Sequence, residues 1–310
     1  MGLAVGGNAG KELKGNEVFE GFETSTRQLG DVTISYVIGG NGPPVLLLHG
    51  YPQTKALWAK VAPILAQNYT VVCADLRGYG DSSKPANTAD NSAYSFRAMA
   101  ADQLALMRAL GFARFHLIGH DRGGRTAHRL ALDHPEAVQS LTVMDIIPTL
   151  LAYQSTDQRF AQTYWHWFFL TQPAPFPERL IACDPDHFYQ SSLLGWGAAK
   201  LTDFDAEMLA DYRRVWRSAQ MQHGSCCDYR AAATIDLEHD RQDLQRRVKC
   251  PTFVMYGAAG AMAKLFDVAR TWADRCTDIT ACAIEGGHFF VDEQPVAVAT
   301  GLKGFLADHV

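Results

Sequence analysis

Residues 115–125 read FHLIGHDRGGR and join a strand, a turn and a helix. The apolar run at 115–118 predicts a buried strand, and the segment from Arg125 onward predicts a helix. Glycines on both sides of the turn allow the backbones of strand and helix to approach closely. A sharp strand–turn–helix with small residues around a central side chain is typical of a nucleophile elbow. The central residue here is Asp121.

A carboxylate in this position lies at a helix N-terminus. Backbone N–H groups and the helix dipole stabilise a negative charge there, so Asp121 is expected to stay ionised. An ordinary N-cap aspartate is the alternative interpretation. That alternative leaves the flanking glycines and the preceding strand unexplained, so we expect Asp121 to be a nucleophile.

Short apolar runs with the character of 115–118 recur along the chain. They are apolar throughout rather than alternating, which is typical of strands buried on both faces of a mostly parallel sheet. Helical patterns, such as the one at 95–110, separate them. The other predicted strands lie at 33–38, 45–48, 71–74, 141–144, 252–256 and 279–284. The sequence therefore predicts an α/β fold with a mostly parallel central sheet flanked by helices.

The strand pattern is interrupted between residues 147 and 239, where helical patterns and aromatic residues accumulate. We interpret 147–239 as a helical cap inserted into one core domain, formed by residues 17–146 and 240–310. A separate helical domain would leave the sheet without its last strands. The glycine-rich residues 1–16 are predicted to be a flexible N-terminal tail.

Composition excludes several kinds of partner. The net charge is −5 and no basic run is present, which argues against binding to nucleic acid. No apolar run is long enough to cross a membrane. The seven cysteines are scattered without metal-ligand spacing, which indicates reduced thiols and a cytoplasmic protein. No metal and no cofactor are expected.

Two further residues are predicted to complete the catalytic group. His288, in GGHFF, follows the last predicted strand. It therefore lies at the carboxyl ends of the strands, where parallel sheets carry their active sites, and it is assigned as the base. An acid must hold its second ring nitrogen. One place for this acid is the loop after the penultimate predicted strand, but that loop, YGAAGAM at 256–262, has no carboxylate. Asp145, which follows the strand at 141–144, is therefore assigned as the acid.

A loop with the sequence LLLHGYPQT follows another buried strand and contains the glycine turn expected of an oxyanion site. The backbone N–H groups near Tyr51 and of Arg122 are predicted to be the donors. A plain surface turn is the alternative, but the position directly after a buried strand argues against it.

An aspartate nucleophile restricts the reaction. Attack on an ester or amide would give an anhydride, whereas attack on an sp³ carbon gives an alkyl ester that activated water can hydrolyse. The reactions that fit are dehalogenation and epoxide opening. Arg122 follows the nucleophile directly and Arg125 lies one helical turn further. Together they predict a clamp for a substrate carboxylate, and hence a small 2-halo acid.

Nine separated motifs between Phe19 and Phe305 resemble those of the fluoroacetate dehalogenases, a group of haloacetate dehalogenases in the α/β-hydrolase superfamily. The motifs are HGYPQT, ADLRGYG, GHDRGGR, LDHPE, DIIPT, YWHWFFL, QPAPFPE, CDYRA and GGHFF. The resemblance implies hydrolysis of haloacetates to glycolate and halide by way of a covalent ester. It also implies a homodimer that needs only its 2-halo acid substrate and water.

The same resemblance assigns the roles of the site residues. It implies Asp121 as nucleophile, His288 as base and Asp145 as acid, with Arg122 and Arg125 as the carboxylate clamp. It further implies a halide pocket formed by His166, Trp167 and Tyr229. An imidazole, an indole and a phenol can each donate a hydrogen bond to a departing halide.

Two other functions remain open at this point. An epoxide hydrolase shares the plan of Asp, His and Asp, and Tyr164 and Tyr229 could protonate the epoxide oxygen. The paired arginines would then be unexplained. A non-catalytic ligand receptor on the same scaffold is the second alternative, although a receptor has no need of a nucleophile, a base and an acid together.

Overall fold

The computed structural model describes residues 18–196 and 199–309. The predicted tail, residues 1–16, lies outside the described residues. In the described part an eight-stranded sheet has the order β1-β2-β4-β3-β5-β6-β7-β8. Its strands are β1 Glu23–Leu29, β2 Val32–Gly39, β3 Pro44–Leu48, β4 Thr70–Ala74, β5 Phe115–His120, β6 Val138–Met144, β7 Thr252–Gly257 and β8 Ile279–Ile284.

Strand pairing confirms the predicted mostly parallel sheet. The pairs from β4 through β3, β5, β6 and β7 to β8 are all parallel, whereas β1–β2 and β2–β4 are antiparallel. Strand β5 is buried along its whole length, including its two histidines, His116 and His120. Strand β1, ETSTRQL, is not among the predicted strands. It lies at the sheet edge and is partly exposed, so its sequence carries no apolar pattern.

Helices flank this sheet, as predicted. The helices before β7 are α1 Ala62–Leu65, α2 Phe96–Ala109, α3 Arg122–Asp133, α4 Thr149–Gln154, α5 Gln158–Thr163, α6 Trp165–Leu170, α7 Phe176–Cys183, α8 Pro185–Gly195, α9 Ala206–Trp216, α10 Ala219–Ala233 and α11 Ile235–Gln242. Those after β7 are α12 Ala261–Leu265, α13 Val268–Trp272, α14 Phe290–Glu293 and α15 Pro295–Ala307. None of the helices in 18–196 and 199–309 is long and apolar enough to cross a membrane.

The turn between β5 and α3 requires glycine. A Cβ atom at Gly119 would lie 2.3 Å from the carbonyl oxygen of Gly123, and one at Gly123 would lie 2.3 Å from that of Leu48. Both distances are far below van der Waals contact with backbone, which cannot move aside. Gly123 and Gly124 are already helical, so α3 begins at Arg122 rather than at the predicted Arg125.

Helices α4 to α11 lie between β6 and β7 in the sequence, and side chains tie them to the sheet domain. Arg129 of α3 donates from Nη2 to Asp240 Oδ1 of α11 at 3.1 Å. Trp216 of α9 donates from Nε1 to the carbonyl oxygen of Pro52 at 2.6 Å. These contacts reach both the helix that follows Asp121 and the loop that follows β3. The helical segment therefore lies over the carboxyl ends of the central strands.

Candidate active site

Asp121 occupies the turn between β5 and α3 with φ 49° and ψ −115°. Residues other than glycine rarely adopt this combination, which lies outside the left-handed helical region, so the backbone is strained at this turn. The turn is fixed by hydrogen bonds from Asp121 N to Met144 O and from Arg125 N to Asp121 O, each 3.1 Å. A Cβ atom at Gly50 would lie 2.4 Å from the Asp121 Cβ, so the neighbouring loop needs a glycine as well.

The two carboxylate oxygens of Asp121 have different surroundings. Oδ1 accepts a hydrogen bond from the backbone N–H of Tyr51 at 2.9 Å. Oδ2 lies 3.8 Å from His288 Nε2. Burial raises the pKa of Asp121, but the charges of His288 and Arg122 outweigh burial and lower the pKa to about 2. The side chain is thus an ionised carboxylate in a site that is almost closed to water.

His288 and Asp145 meet beside this carboxylate. His288 follows β8 and Asp145 follows β6, and their Nδ1 and Oδ2 atoms are 2.6 Å apart. Asp145 also accepts a hydrogen bond at Oδ1 from the backbone N–H of Gly257, at 3.0 Å. Burial lowers the pKa of His288, but its hydrogen bond to Asp145 and the charges of Asp145 and Asp121 outweigh burial and raise it above the ordinary value. His288 Nε2 makes no hydrogen bond to the described residues.

His120, which was not predicted as a site residue, contacts the backbone of His288. His120 Nε2 lies 2.8 Å from the carbonyl oxygen of His288, and the two rings are 4.7 Å apart. The side chain of His120 therefore holds the loop that carries His288.

Arg122 and Arg125 are buried together beneath the helical segment. Arg125 donates from Nη1 to the carbonyl oxygen of Ile147 at 3.0 Å and to Thr149 Oγ1 at 2.9 Å. Its Nε and Nη2 atoms, and Nη1 of Arg122, have no partner among the described residues. Buried N–H groups of a charged guanidinium rarely stay unpaired. These three nitrogens are therefore available as hydrogen-bond donors.

Asp228 holds Arg122, and no prediction from the sequence identified it. Arg122 donates from Nε to Asp228 Oδ2 at 2.8 Å and from Nη2 to Oδ1. Tyr79 donates its hydroxyl to the same Oδ2 at 2.6 Å. The pairing is bidentate, so it fixes the plane of the guanidinium and directs Nη1. The signal in the sequence was a lone carboxylate in CDYRA, directly before Tyr229.

His166, Trp167 and Tyr229 are brought together over the arginines. The His166 and Tyr229 rings are 5.5 Å apart, and the Trp167 and Tyr229 rings 6.3 Å. The guanidinium of Arg122 lies 4.3 Å from the Tyr229 ring centre, and that of Arg125 lies 4.8 Å from Trp167. Tyr51 stacks on His166 at 5.6 Å. Burial lowers the pKa of His166 far below its ordinary value, so the imidazole is neutral.

The arrangement can support one kind of chemistry well. An ionised carboxylate, a histidine hydrogen-bonded to a second aspartate and two guanidinium groups with unpaired N–H donors lie here among aromatic rings. Such a site can bind an anionic substrate, attack it and activate a water molecule. Residues 18–196 and 199–309 hold no group of three or more His, Cys, Asp or Glu side chains placed to bind a metal ion.

Comparison with known proteins places this geometry in context. A family model described as alpha/beta hydrolase fold matches residues 43–295. A fluoroacetate dehalogenase from Burkholderia sp is 57% identical over 291 residues, which cover 94% of this chain and 96% of that protein. A soluble epoxide hydrolase from Corynebacterium sp. is 33% identical over 275 residues, which cover 87% of this chain and 92% of the relative.

Solved structures agree on the fold. The crystal structure of an alpha/beta hydrolase from Nostoc sp PCC 7120 superposes with a TM-score of 0.91 at 46% identity. The match covers 92% of this chain and 98% of that one. The fold of this chain is therefore a known architecture.

Proposed function

Because this chain belongs to the alpha/beta hydrolase family, in the branch of the fluoroacetate dehalogenases, we propose that it hydrolyses the carbon–halogen bond of haloacetates. Fluoroacetate or chloroacetate, with water, gives glycolate and halide. The observation that carries the proposal is an ionised Asp121 beside three unpaired guanidinium nitrogens of Arg122 and Arg125. An uncharged substrate would leave those buried donors unsatisfied.

Binding begins with the substrate carboxylate. Nη1 of Arg122 and the Nε and Nη2 atoms of Arg125 receive it through charge-assisted hydrogen bonds, each contributing about 1.5–3 kcal/mol. This fixes the short molecule at one end and turns its α-carbon toward Asp121. The halogen then lies among the N–H and O–H donors of His166, Trp167 and Tyr229.

The first chemical step is a displacement at the α-carbon. Oδ2 of Asp121 attacks, because Oδ1 is engaged by the backbone N–H of Tyr51. The carbon–halogen bond breaks, its electron pair leaves with the halide, and an ester of Asp121 forms. The donors around the halogen stabilise the developing anion most where water is excluded. Fluoride gains most from them because its charge is the most concentrated.

The second step hydrolyses the ester. Nε2 of His288 removes a proton from water, and the hydroxide attacks the carboxyl carbon of Asp121. The charge that develops on Oδ1 is stabilised by the Tyr51 N–H, and the N–H of Arg122 is proposed as the second donor. Asp145 stabilises the protonated imidazole that forms. Glycolate leaves with the former Oδ2 oxygen of Asp121 as its hydroxyl oxygen, the oxygen of water stays on Asp121, and a proton is released.

The domain organisation belongs to the same proposal. Residues 17–146 and 240–310 form the core domain that carries Asp121, Asp145 and His288. Residues 147–239 form the cap that supplies the halide pocket and excludes water. The contact between Trp216 of the cap and the carbonyl oxygen of Pro52 in the core supports a cap that packs on the core. The homodimer and the cytoplasmic location both stay predictions.

Halide release tests the proposed function directly. The purified protein is expected to release fluoride from fluoroacetate and chloride from chloroacetate. It is expected to leave a simple alkyl epoxide unchanged, because that molecule offers no anion to the arginines. An ion-selective electrode follows the halide, and chromatography follows the epoxide. Rapid opening of the neutral epoxide without halide release would favour the epoxide hydrolase instead.

The halide pocket can be tested by Trp167→Phe. This change removes one hydrogen-bond donor, and we expect fluoroacetate turnover to fall roughly 10–100-fold, several times more than chloroacetate turnover. The ratio of the two rates is the measurement, because any loosening of packing affects both substrates alike. Trp58→Phe, at another buried indole outside the site, is the control. An unchanged ratio contradicts the assignment of the pocket.

Asp228 can be tested by Asp228→Asn. The amide cannot accept both guanidinium bonds, so Arg122 loses its fixed orientation, and KM for chloroacetate is expected to rise about 10–100-fold. The effect on kcat is expected to be smaller, because the carboxylate is bound alike before and during the reaction. The measurement is steady-state kinetics together with thermal unfolding.

A matched control exists for this variant. Asp102 accepts two hydrogen bonds from Arg77, both 2.6 Å, away from the site. Asp102→Asn should lower the unfolding temperature as Asp228→Asn does but leave KM unchanged. If both variants raise KM equally, Asp228 only stabilises the fold and does not position Arg122 for substrate binding.

A further inference from the structure

The peptide group between Gly50 and Tyr51 lies against the nucleophile. Its N–H donates to Asp121 Oδ1 at 2.9 Å, the oxygen on which charge develops in the proposed ester hydrolysis. Its carbonyl oxygen, at the other end of the same planar group, accepts hydrogen bonds from Gln53 N at 3.0 Å and from His49 Nδ1 at 2.9 Å. The direction and strength of the N–H donor therefore depend on what holds the carbonyl end.

The tautomer of His49 is fixed by its two hydrogen-bond partners. A carbonyl oxygen only accepts hydrogen bonds, so the Nδ1 atom that faces the Gly50 carbonyl must carry a proton. Nε2 accepts a hydrogen bond from the backbone N–H of Leu76 at 3.1 Å, so this atom must be unprotonated. Burial lowers the pKa of His49 by more than the charge of Asp75 raises it, which agrees with a neutral ring. His49 is therefore a permanent donor to the Gly50 carbonyl.

The ring of His49 is held firmly in this position. The side chain is fully buried, and its plane is set by the Leu76 N–H and by the edge-on ring of Tyr79, whose centre is 5.5 Å away. Asp75 Oδ1 lies 3.8 Å from Nε2, and the charge of this carboxylate is balanced by Lys55 Nζ, 2.6 Å from Oδ2. The imidazole is thus a neutral and oriented dipole whose N–H points at the peptide.

We propose that His49 is a positioning residue for ester hydrolysis, because its Nδ1–H orients and polarises the peptide that donates to Asp121 Oδ1. The inference rests on the proposed function for the ester, and it adds a residue that touches neither the substrate nor the reacting atoms. A hydrogen bond received by a carbonyl oxygen draws electron density from the peptide nitrogen, so the N–H at the other end becomes a stronger donor. His49 acts on the reaction only through this peptide.

The two chemical steps respond differently to the strength of this donor. Before displacement, Oδ1 belongs to the Asp121 carboxylate, and a strong hydrogen bond stabilises the nucleophile and slows its attack slightly. During hydrolysis, Oδ1 takes up the charge of the tetrahedral intermediate, and the same hydrogen bond stabilises that intermediate more than it stabilises the ester. The contribution of His49 should therefore appear in ester hydrolysis and not in ester formation.

Two substitutions separate the two nitrogen atoms of His49. His49→Gln puts an amide oxygen near the position of Nε2, where it can accept from the Leu76 N–H, and leaves no side-chain donor for the Gly50 carbonyl. His49→Asn puts an amide nitrogen near the position of Nδ1, where it can donate to the Gly50 carbonyl, and leaves the Leu76 N–H unpaired. Because a buried unpaired N–H destabilises a fold, the asparagine variant should be the less stable of the two.

A single turnover with enzyme in excess over chloroacetate measures the two steps separately. Rapid quenching followed by intact-protein mass spectrometry gives one rate constant for formation of the ester and one for its decay. Loss of a whole oxyanion donor slows a reaction by about 10²–10³-fold, and one hydrogen bond in a chain strengthens the next by about 10–30%. Ester decay in His49→Gln should therefore be roughly 2–10-fold slower, with ester formation unchanged or slightly faster. Ester decay in His49→Asn should stay close to that of the unchanged enzyme.

His116→Gln is the matched control, because His116 is another fully buried histidine, whose Nδ1 lies 2.8 Å from Ser140 Oγ. This change should lower the unfolding temperature and leave both rate constants unchanged. Thermal unfolding of the two His49 variants supplies a second comparison. His49→Asn should unfold at the lower temperature and yet hydrolyse its ester faster than His49→Gln. A residue that acted only on stability would give the same order in both measurements.

The outcomes separate this inference from the proposed function. Slower ester decay in His49→Gln, restored in His49→Asn, supports the inference. Normal ester decay in His49→Gln overturns it and leaves the proposed function intact, as does an equal loss in both steps or a folded His49→Asn enzyme as slow in ester decay as His49→Gln. If His49→Asn does not fold, the comparison of His49→Gln with His116→Gln decides. An unchanged enzyme that releases no halide and forms no ester overturns the proposed function, and this inference with it.

Discussion

Asp121→Asn is expected to lower halide release from chloroacetate by at least about 10⁴-fold, the scale seen when a member of a catalytic triad is removed. An amide oxygen carries no full negative charge, so it cannot displace a halide. Asparagine tolerates positive φ as aspartate does, and the turn at φ 49° should therefore survive. Initial rates of halide release, measured within minutes of mixing, give the result.

The matched control is Asp274→Asn, which removes the same charge at a side chain that is 95% exposed. It should leave turnover unchanged. Circular dichroism and thermal unfolding of both variants show whether the fold is retained. A folded Asp121→Asn enzyme that releases halide at the normal rate would rule out Asp121 as the nucleophile.

The second large effect is expected for His288→Asn. Without the base, the ester on Asp121 forms but is not hydrolysed, so the variant should release a single equivalent of halide and then stop. Steady turnover should fall by at least about 10³-fold. Intact-protein mass spectrometry should detect the added carboxymethyl group, and peptide mapping should locate it on residues that include Asp121.

His134→Asn is the control for this variant, because His134 lies at the C-terminus of α3 with its side chain partly exposed. That variant should turn over chloroacetate normally and carry no adduct. If His288→Asn keeps steady turnover, or stops without any adduct, the two-step reaction with His288 as base is wrong.

The pH dependence of the unchanged enzyme should resemble the His288 variant at low pH. His288 acts as a base only when neutral. The ester removes the charge of Asp121, but the hydrogen bond and the charge of Asp145 still raise the pKa of His288, so ester hydrolysis should decline as the pH falls through slightly acidic values. Asp121 stays ionised down to a pH of about 2, so the displacement step continues while the protein is folded. Rapid quenching should show more ester at acidic pH than at neutral pH. A constant amount of ester across that range contradicts the assignment.

The sequence predicted the parts of this molecule that depend on local patterns. Strand β5 and the glycines around Asp121 are contiguous, and their apolar and small side chains directly reflect burial and close approach. Asp145 was predicted because it follows the buried strand at 141–144 and the stretch at 256–262 offers no carboxylate. The structure places it 2.6 Å from His288, although the two are far apart in the chain.

Other features depend on partners that no local pattern reveals. Strand β1 is held at the sheet edge by backbone hydrogen bonds to β2, so its polar side chains give no signal. Asp228 acts on Arg122 from a helix more than a hundred residues away. The hydrogen-bond partners of buried polar groups are set by tertiary packing, and only the folded chain identifies them.

The central claim is that Asp121 becomes an ester and that water then attacks its carboxyl carbon. A single turnover with enzyme in excess over chloroacetate, in water labelled with oxygen-18, tests this most directly. The glycolate formed should carry ordinary oxygen at its new hydroxyl, and the label should appear in the peptide that contains Asp121. Label in the hydroxyl of that first glycolate, with none in the peptide, would mean that water attacks the substrate directly and would contradict the account.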